Sequence, residues 1–274
     1  MLLRSSHRAG IAAAVLSALA LTASACGSSD SGSDTSASGS DLGLISAGTL
    51  SVCSDVPYPP FEDFDKSAPT GFKGFDVDIV EAIAKQLDLK VEIKDSSFDA
   101  LQSGLALNSN QCDMAASAMT ITPEREQRIG FSDGYYSSEQ SLLVPSDSSI
   151  TGIADLAGKK VGVQKGTTGE SYANDNASDA DIVVFPSDGE MYAALKAGQV
   201  DALLQDLPVN LDHQNDPKEP GAFKVVETYD TGEEYGLAMK KTNTGLITAV
   251  DKALKTLKDD GEYKKIYDSY FATN

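Results

Sequence analysis

Apolar positions recur three and four residues apart between Phe75 and Leu87, where Val77, Ile79, Val80, Ile83, Ala84 and Leu87 share one helical stripe and Asp76 stands as the expected N-cap. Short β-branched runs flank this helix, TLSVCSD (Thr49–Asp55) before it and KVEIKD after it. FDALQSGLAL then reads as a helix and CDMAASAMTI as a buried strand, which gives the order β-α-β-α-β of a parallel sheet with helices on its faces. The same grammar restarts at Thr151. A short helix in TGIADLAGKK leads to strand VGVQKG, a helix near Gly169–Asp175, strand DIVVFP, helix GEMYAALKAG and strand VDALLQD. The two halves share this pattern without a residue-level repeat.

Two stretches lack helical period, GYYSSEQSLLVP between the units and FKVVETYDTGEEYGLAMKK after the second. Both are expected to be extended crossings. Two helices close the chain. In the first, Leu246, Ile247, Val250, Leu254 and Leu257 form a stripe that Gly261 ends. In the second, Tyr263, Ile266, Tyr267, Tyr270 and Phe271 follow helical spacing, which favours core packing over a ligand cage. Two α/β lobes joined by two crossings predict a cleft with two hinges, and ligands of open α/β sheets sit at the carboxyl ends of the strands.

The first residues change the picture of where this protein works. Arg4 and Arg8 precede the apolar run Ile11–Leu21, and small residues lead to Cys26, the layout of a secretory signal peptide over residues 1–25. The run is too short to span a bilayer, which takes about 20 residues. Ala23-Ser24-Ala25-Cys26 resembles the bacterial lipobox, so Cys26 is the candidate lipidation site; a cleaved, unlipidated leader is the alternative. After Cys26, Gly27–Asp41 holds only Gly, Ser, Asp, Thr and Ala, too polar to offset the entropy of ordering, and residues 26–46 are expected to tether the domain. A coil of the length of Gly27–Asp41 reaches about 20 Å. The first lobe is expected at 47–136 plus 232–274 and the second at 137–231.

Charge and scarce residues exclude whole classes. Without Arg4 and Arg8, 20 basic residues face 41 acidic ones, a balance of −21 that repels nucleic acid and anionic lipid headgroups. Beyond Cys26 the cysteines are Cys53 and Cys112, and His213 is the one histidine after the leader, so no zinc site is expected. His213 lies in LDHQNDPKEPG, polar and proline-containing, which reads as a surface loop rather than a catalytic setting. A Cys53–Cys112 disulfide suits an exterior protein. Cys53 nearly ends one predicted strand while Cys112 begins another, however. Were those parallel strands neighbours, the two would lie at opposite ends, beyond the ~7 Å Cα limit, which argues against the bridge without settling it.

Polar residues at predicted strand ends form a short list. Asp55 follows LSVCS; Thr120 and Thr122 close the CDMAASAM strand on one face; Pro123 opens a helix that carries Arg125 near its start. In the second unit QKGTTGE (Gln164–Glu170) leaves a strand for a helix and presents free backbone N–H groups, and Asp206 ends LLQD. An arginine at a helix start opposes the helix dipole, so an anionic partner explains it better than local stability does. Arg125, Thr120 and Thr168 suit a carboxylate and Asp206 suits an ammonium, the two ends of a free amino acid. Taken alone, Arg125 pairing with Glu124, Glu126 or Asp133 on the surface is as good a reading, and Asp206 alone could cap a loop.

In order along the chain, VCSDVPYPPFE, GFDVDIVEAIAK, AMTITPERE, FSDGYY, VGVQKGTTGE, VDALLQD, YGLAMKK and ALKTLKDDGEYKKIYDSYF resemble segments of the polar amino acid-binding proteins of bacterial ABC importers. These are the glutamine and lysine/arginine/ornithine/histidine binders, here in lipoprotein form. The resemblance implies the two-lobed α/β periplasmic-binding fold of type II, each lobe a mostly parallel sheet flanked by helices. It implies that Arg125 clamps the ligand carboxylate with the Thr120 hydroxyl and N–H groups at Thr167 and Thr168. Asp206 would take the ammonium near a carbonyl of Ala118, where relatives carry Gly or Ser. Met119 and Gln164 join this set; Tyr58 and Phe98 would cover the ligand side chain, and Asp55 would meet its distal end. The alternative reading of Tyr58 is ordinary packing in a rigid PYPPFE turn. Asp55, with neutral Gln164 and Gln205, favours glutamine or a basic amino acid over an acidic one.

The implied partners are an ABC permease and its separate ATPase subunit, since the chain has no G-x-x-x-x-G-K-[ST] loop, with a membrane reached through the lipid. No cofactor and no nucleic acid are expected, and the protein is expected to be a monomer. A more distant resemblance, to cyclohexadienyl/arogenate dehydratases, makes a lyase on the same fold the alternative. A sensor ectodomain is disfavoured, because no membrane or signalling segment follows Phe271.

Overall fold

The computed structural model describes residues 42–272, all within one compact unit, Ala37–Asn274. The predicted leader, Cys26 and the tether as far as Asp41 lie outside the described residues. Leu42 is buried and its carbonyl accepts from Asn243, while Ile45 N donates to Asp113, so the chain is already docked before residue 47, where the tether was expected to end.

The chain starts with β1 (Thr49–Ser54), the short hairpin β2 (Asp63–Phe64) and β3 (Phe72–Lys73), and α1 (Phe75–Gln86). It continues through β4 (Lys90–Asp95), α2 (Phe98–Gln102), α3 (Leu105–Asn108), β5 (Met114–Ala115), α4 (Pro123–Glu126) and β6 (Gly130–Phe131). With β12 (Ala238–Met239) inserted, these strands make a sheet of order β4-β1-β5-β12-β6, parallel across β4, β1 and β5 and antiparallel at β12. One face packs α1 together with α8 (Thr244–Asp259) and the half-buried aromatics of α9 (Glu262–Phe271); α2 and α3 cover the other.

The second sheet is built from β7 (Tyr136–Pro145), β8 (Lys160–Gln164), α5 (Thr168–Asn176), β9 (Asp181–Phe185), α6 (Asp188–Lys196), β10 (Ala202–Asp206), α7 (Leu207–Gln214) and β11 (Phe223–Tyr235). Its order is β11-β7-β10-β8-β9, with β8 parallel to both β9 and β10. Strand alternation sends Leu142, Val144 and Leu204 to the α5 face and Leu143 and Leu203 to the α6 face. The long strands β7 and β11 are the two crossings. They pair antiparallel from Pro145–Phe223 to Tyr136–Tyr235, with an irregularity between Tyr229 and Glu233. At the first lobe, Tyr136 and Tyr235 stack at 5.4 Å, and Phe61 and Phe271 close on Tyr136 at 5.1 and 4.8 Å.

Several local expectations are corrected. Gly74, not Asp76, precedes α1, at φ 134, and a Cβ there would stand 2.1 Å from Phe61 O. Asp76 is instead buried, accepting from Ala118 N. The predicted 112–121 strand shrinks to Met114–Ala115, and Ala118 takes a left-handed φ of 43. FDALQSGLAL breaks into two helices at Gly104. His213 is not in a surface loop: α7 carries it inward to Asp188 at 2.9 Å and against the Tyr192 ring at 3.8 Å. Cys53 and Cys112 are disulfide-bonded, with Cα atoms 5.8 Å apart. Cys112 precedes the strand rather than opening it, and its turn brings it into the same cluster as Cys53, beneath α2 and α3.

Candidate functional site

The carboxyl ends of the two sheets face each other across a small cavity. Asp55, Tyr58, Phe98, Ala118, Thr120 and Arg125 line it from the first lobe, and Gln164, Thr167, Thr168 and Asp206 from the second. Met119 is not among the lining residues; its side chain is wholly buried in the core around the disulfide. Thr122 caps α4 by accepting from Arg125 N, and Gln205 turns away to Asp188 and Asn210.

Arg125 is buried, and Arg128 rather than Arg125 pairs with Glu124. Its Nη1 donates to Thr120 O at 2.6 Å and its Nη2 to Gly166 O, across the cleft, at 3.0 Å; its Cζ lies 5.2 Å from the centre of the Phe98 ring. None of the ion pairs among the described residues involves this guanidinium. Burial pulls its pKa down to about 10, against the pull of Asp206 and Glu233.

Asp206 ends β10, accepting from Tyr58 Oη at 2.8 Å and Gln140 Nε2 at 2.5 Å. Burial, with Glu233 nearby, pushes its pKa up to about 6. Asp55 accepts from Gln164 Nε2 at 2.6 Å and is also pushed up to about 6, again mainly by burial. Thr167 caps α5 through Glu170 N, and the amides of the first turn beyond the cap have no acceptor within the helix. Ala118 N is held by Asp76 and the neighbouring Ser117 Oγ by Glu62, two buried acids under the cavity floor.

Three residues near this site escaped the sequence reading. Ser117 lines the cavity and accepts from Asp55 N. Gln140 and Glu233 come from the crossings β7 and β11.

Two α/β lobes that meet over a small polar cavity, with a buried cation and a buried carboxylate on opposite lobes, define a two-lobed solute binder. The profile of the bacterial extracellular solute-binding proteins, family 3, matches residues 50–273, and the chain belongs to that family. It is similar to the putative ABC transporter arginine-binding protein 2 of Escherichia coli K12, with 32% identity over 236 residues, 85% of this chain and 95% of that one. It is also similar to the ABC transporter glutamine-binding protein GlnH of Bacillus subtilis, at 34% over 199 residues and 71% of each chain. Among solved structures, an ancestral arginine-binding protein bound to glutamine superposes with a TM-score of 0.76 at 39% identity, covering 82% of this chain and 99% of that one.

Proposed function

We propose that this protein captures a polar amino acid between its lobes, a basic one or glutamine, and delivers it to an ABC permease powered by a separate ATPase. The observation that carries this reading is Arg125: a buried guanidinium, anchored on carbonyls of both lobes and without an ion-pair partner, faces the same cavity as the buried carboxylate of Asp206. A zwitterion complements both. Its carboxylate would meet Arg125 and the α5 amides, and its ammonium would meet Asp206, with Tyr58 and Phe98 along the side chain and Asp55 with Gln164 at its far end. Arg125 belongs to the first lobe and Asp206 to the second, so one ligand reaches both only when the cleft is shut. Ligand affinity is then differential affinity for the closed state, and β7 and β11 carry the hinge.

The named relatives are binding proteins rather than enzymes, which supports this reading over a dehydratase. An extracytoplasmic monomer tethered through lipidated Cys26 completes the proposal. Calorimetric titration with the twenty amino acids tests the ligand class: saturable binding of basic amino acids or glutamine is expected, and no binding of any amino acid would overturn it. Loss of the membrane-bound fraction in Cys26→Ser tests the anchor, and light scattering tests the oligomeric state.

A further inference from the structure

Glu233 sits on β11, at the end of the irregularity in its pairing with β7, and is buried where the crossings pass beneath the cleft. Four donors converge on it. Its Oε2 accepts from Thr120 Oγ1 of the first lobe and from Thr168 Oγ1 of the second, both at 2.7 Å. Its Oε1 accepts from Gln140 Nε2 at 3.2 Å and Thr231 Oγ1 at 2.9 Å. A carboxylate only accepts, so the hydroxyls and the amide are the donors in these contacts.

A hydroxyl has one proton and two lone pairs. Once Thr120 and Thr168 have turned their protons to Glu233, each can offer a ligand only an acceptor. Both hydroxyls lie in the corner of Asp206, because Gln140 Nε2 donates to Asp206 and Glu233 together and is 3.5 Å from Thr168 Oγ1. The donors of that corner, Tyr58 Oη and Gln140 Nε2, are spent on Asp206 and Glu233, so the two hydroxyls face a ligand as acceptors, and the expected donation from Thr120 Oγ1 to a ligand carboxylate has no proton to make it. The carboxylate is left to Arg125 and the amides of α5.

We propose that Glu233 is a positioning residue that holds the Thr120 and Thr168 hydroxyl protons away from the cavity, and that it thereby sets the preference of the cleft for an α-amino acid over the matching α-hydroxy acid. This rests on the amino acid-binding reading above. An ammonium has three donors for Asp206 and the two hydroxyls. An α-hydroxyl has one donor, and its lone pairs then face oxygen lone pairs. Without Glu233 the threonine hydroxyls can rotate and donate to it.

The test compares L-arginine with 5-guanidino-2-hydroxypentanoic acid, and L-glutamine with its 2-hydroxy analogue, by calorimetry on the wild type, Glu233→Ala and Glu233→Gln. Glu233→Ala is expected to lower the amino-over-hydroxy affinity ratio about tenfold, the scale of one charge-assisted hydrogen bond. Glu233→Gln keeps an acceptor oxygen for both threonines, with its NH2 on the side of Thr231 Oγ1 and Gln140, and is expected to keep a ratio well above that of Glu233→Ala. It also carries the test alone if the alanine variant does not fold. A wild-type ratio retained in Glu233→Ala, with both ligands weakened equally, would overturn the inference and leave the amino acid-binding reading intact, as would a ratio in Glu233→Gln that collapses like that expected of alanine. Failure of the wild type to bind either amino acid would overturn both.

Discussion

Gln164, at the end of β8, donates from Nε2 to Asp55 Oδ2 across the cleft at 2.6 Å, so the acid that ends β1 in one lobe is held by an amide of the other. This contact joins the lobes and places a carboxylate at the far end of the cavity from Arg125 in the proposed pose. A cationic side chain placed there would gain an ion pair and a neutral amide only hydrogen bonds. Asp55→Asn retains the shape and a partner for Gln164 while removing the charge. The expected result is about a tenfold fall in the affinity ratio of L-arginine to L-glutamine. Titrating both ligands into both proteins measures it, and an unchanged ratio would remove Asp55 from the account of specificity.

Arg125 and Asp206 hold opposite ends of the proposed ligand, and each is buried. Truncating either leaves the other end bound and removes one charge-assisted pair, about 1.5–3 kcal/mol. Arg125→Ala and Asp206→Ala should each weaken binding at least tenfold by calorimetry. Wild-type affinity in either variant would count against the pose.

The alternating elements were legible because burial imposes a period: the stripe from Val77 to Ile83 is α1, and VDALLQD is β10 with Asp206 at its end. The cleft residues at strand ends were legible for the same reason, since a sheet exposes its carboxyl edge to a ligand. What stayed hidden depends on contacts between distant segments. Glu233 and Gln140 lie in extended polar runs, and only the pairing of β7 with β11 aims them inward. Asp76 looked like a cap because its role, holding Ala118 N from 42 residues away, leaves no local mark. Met119 reads as a site residue beside Thr120, but the backbone turn at Ala118 sends its side chain into the core. His213 was masked by polar neighbours, although Pro208 in the first turn of α7 fits a helix start.

Protonation makes the next prediction. Asp206 and Asp55 both have pKa values near 6 in the fold, raised chiefly by burial, whereas an unfolded Asp titrates near about 3.9. Between those values the fold holds protons that the unfolded chain has released. Their contribution to stability therefore falls as pH rises from about 4 to about 6, and the full penalty persists above that. A ligand ammonium beside Asp206 favours the ionised form and lowers its pKa. Binding should then release protons near about pH 6 and few near about pH 8, and affinity should fall as pH drops below about 6. Titrations in buffers of different ionisation enthalpy measure this release, and Asp206→Asn should reduce it. Proton uptake at about pH 6 would contradict the assignment.

The Cys53–Cys112 bridge closes a separation of 59 residues that runs from the end of β1 through β2, β3, α1, β4, α2 and α3. A cross-link of that length removes unfolded-chain entropy of about 4 kcal/mol in the loop-closure account. In a domain of this size, 1 kcal/mol corresponds to roughly 2–4 °C in melting temperature, so the Cys53→Ser/Cys112→Ser double variant should melt on the order of 10 °C lower. Neither cysteine lines the cavity, and of their buried cluster Phe98 alone reaches it. At a temperature where the variant is folded, its ligand affinity should therefore stay within about twofold of wild type. Melting curves with and without reductant, alongside titrations at low temperature, separate the two effects. A variant that melts like wild type would show the bridge to be dispensable, whereas one that keeps its melting temperature but loses affinity would tie the bridge to the cleft itself.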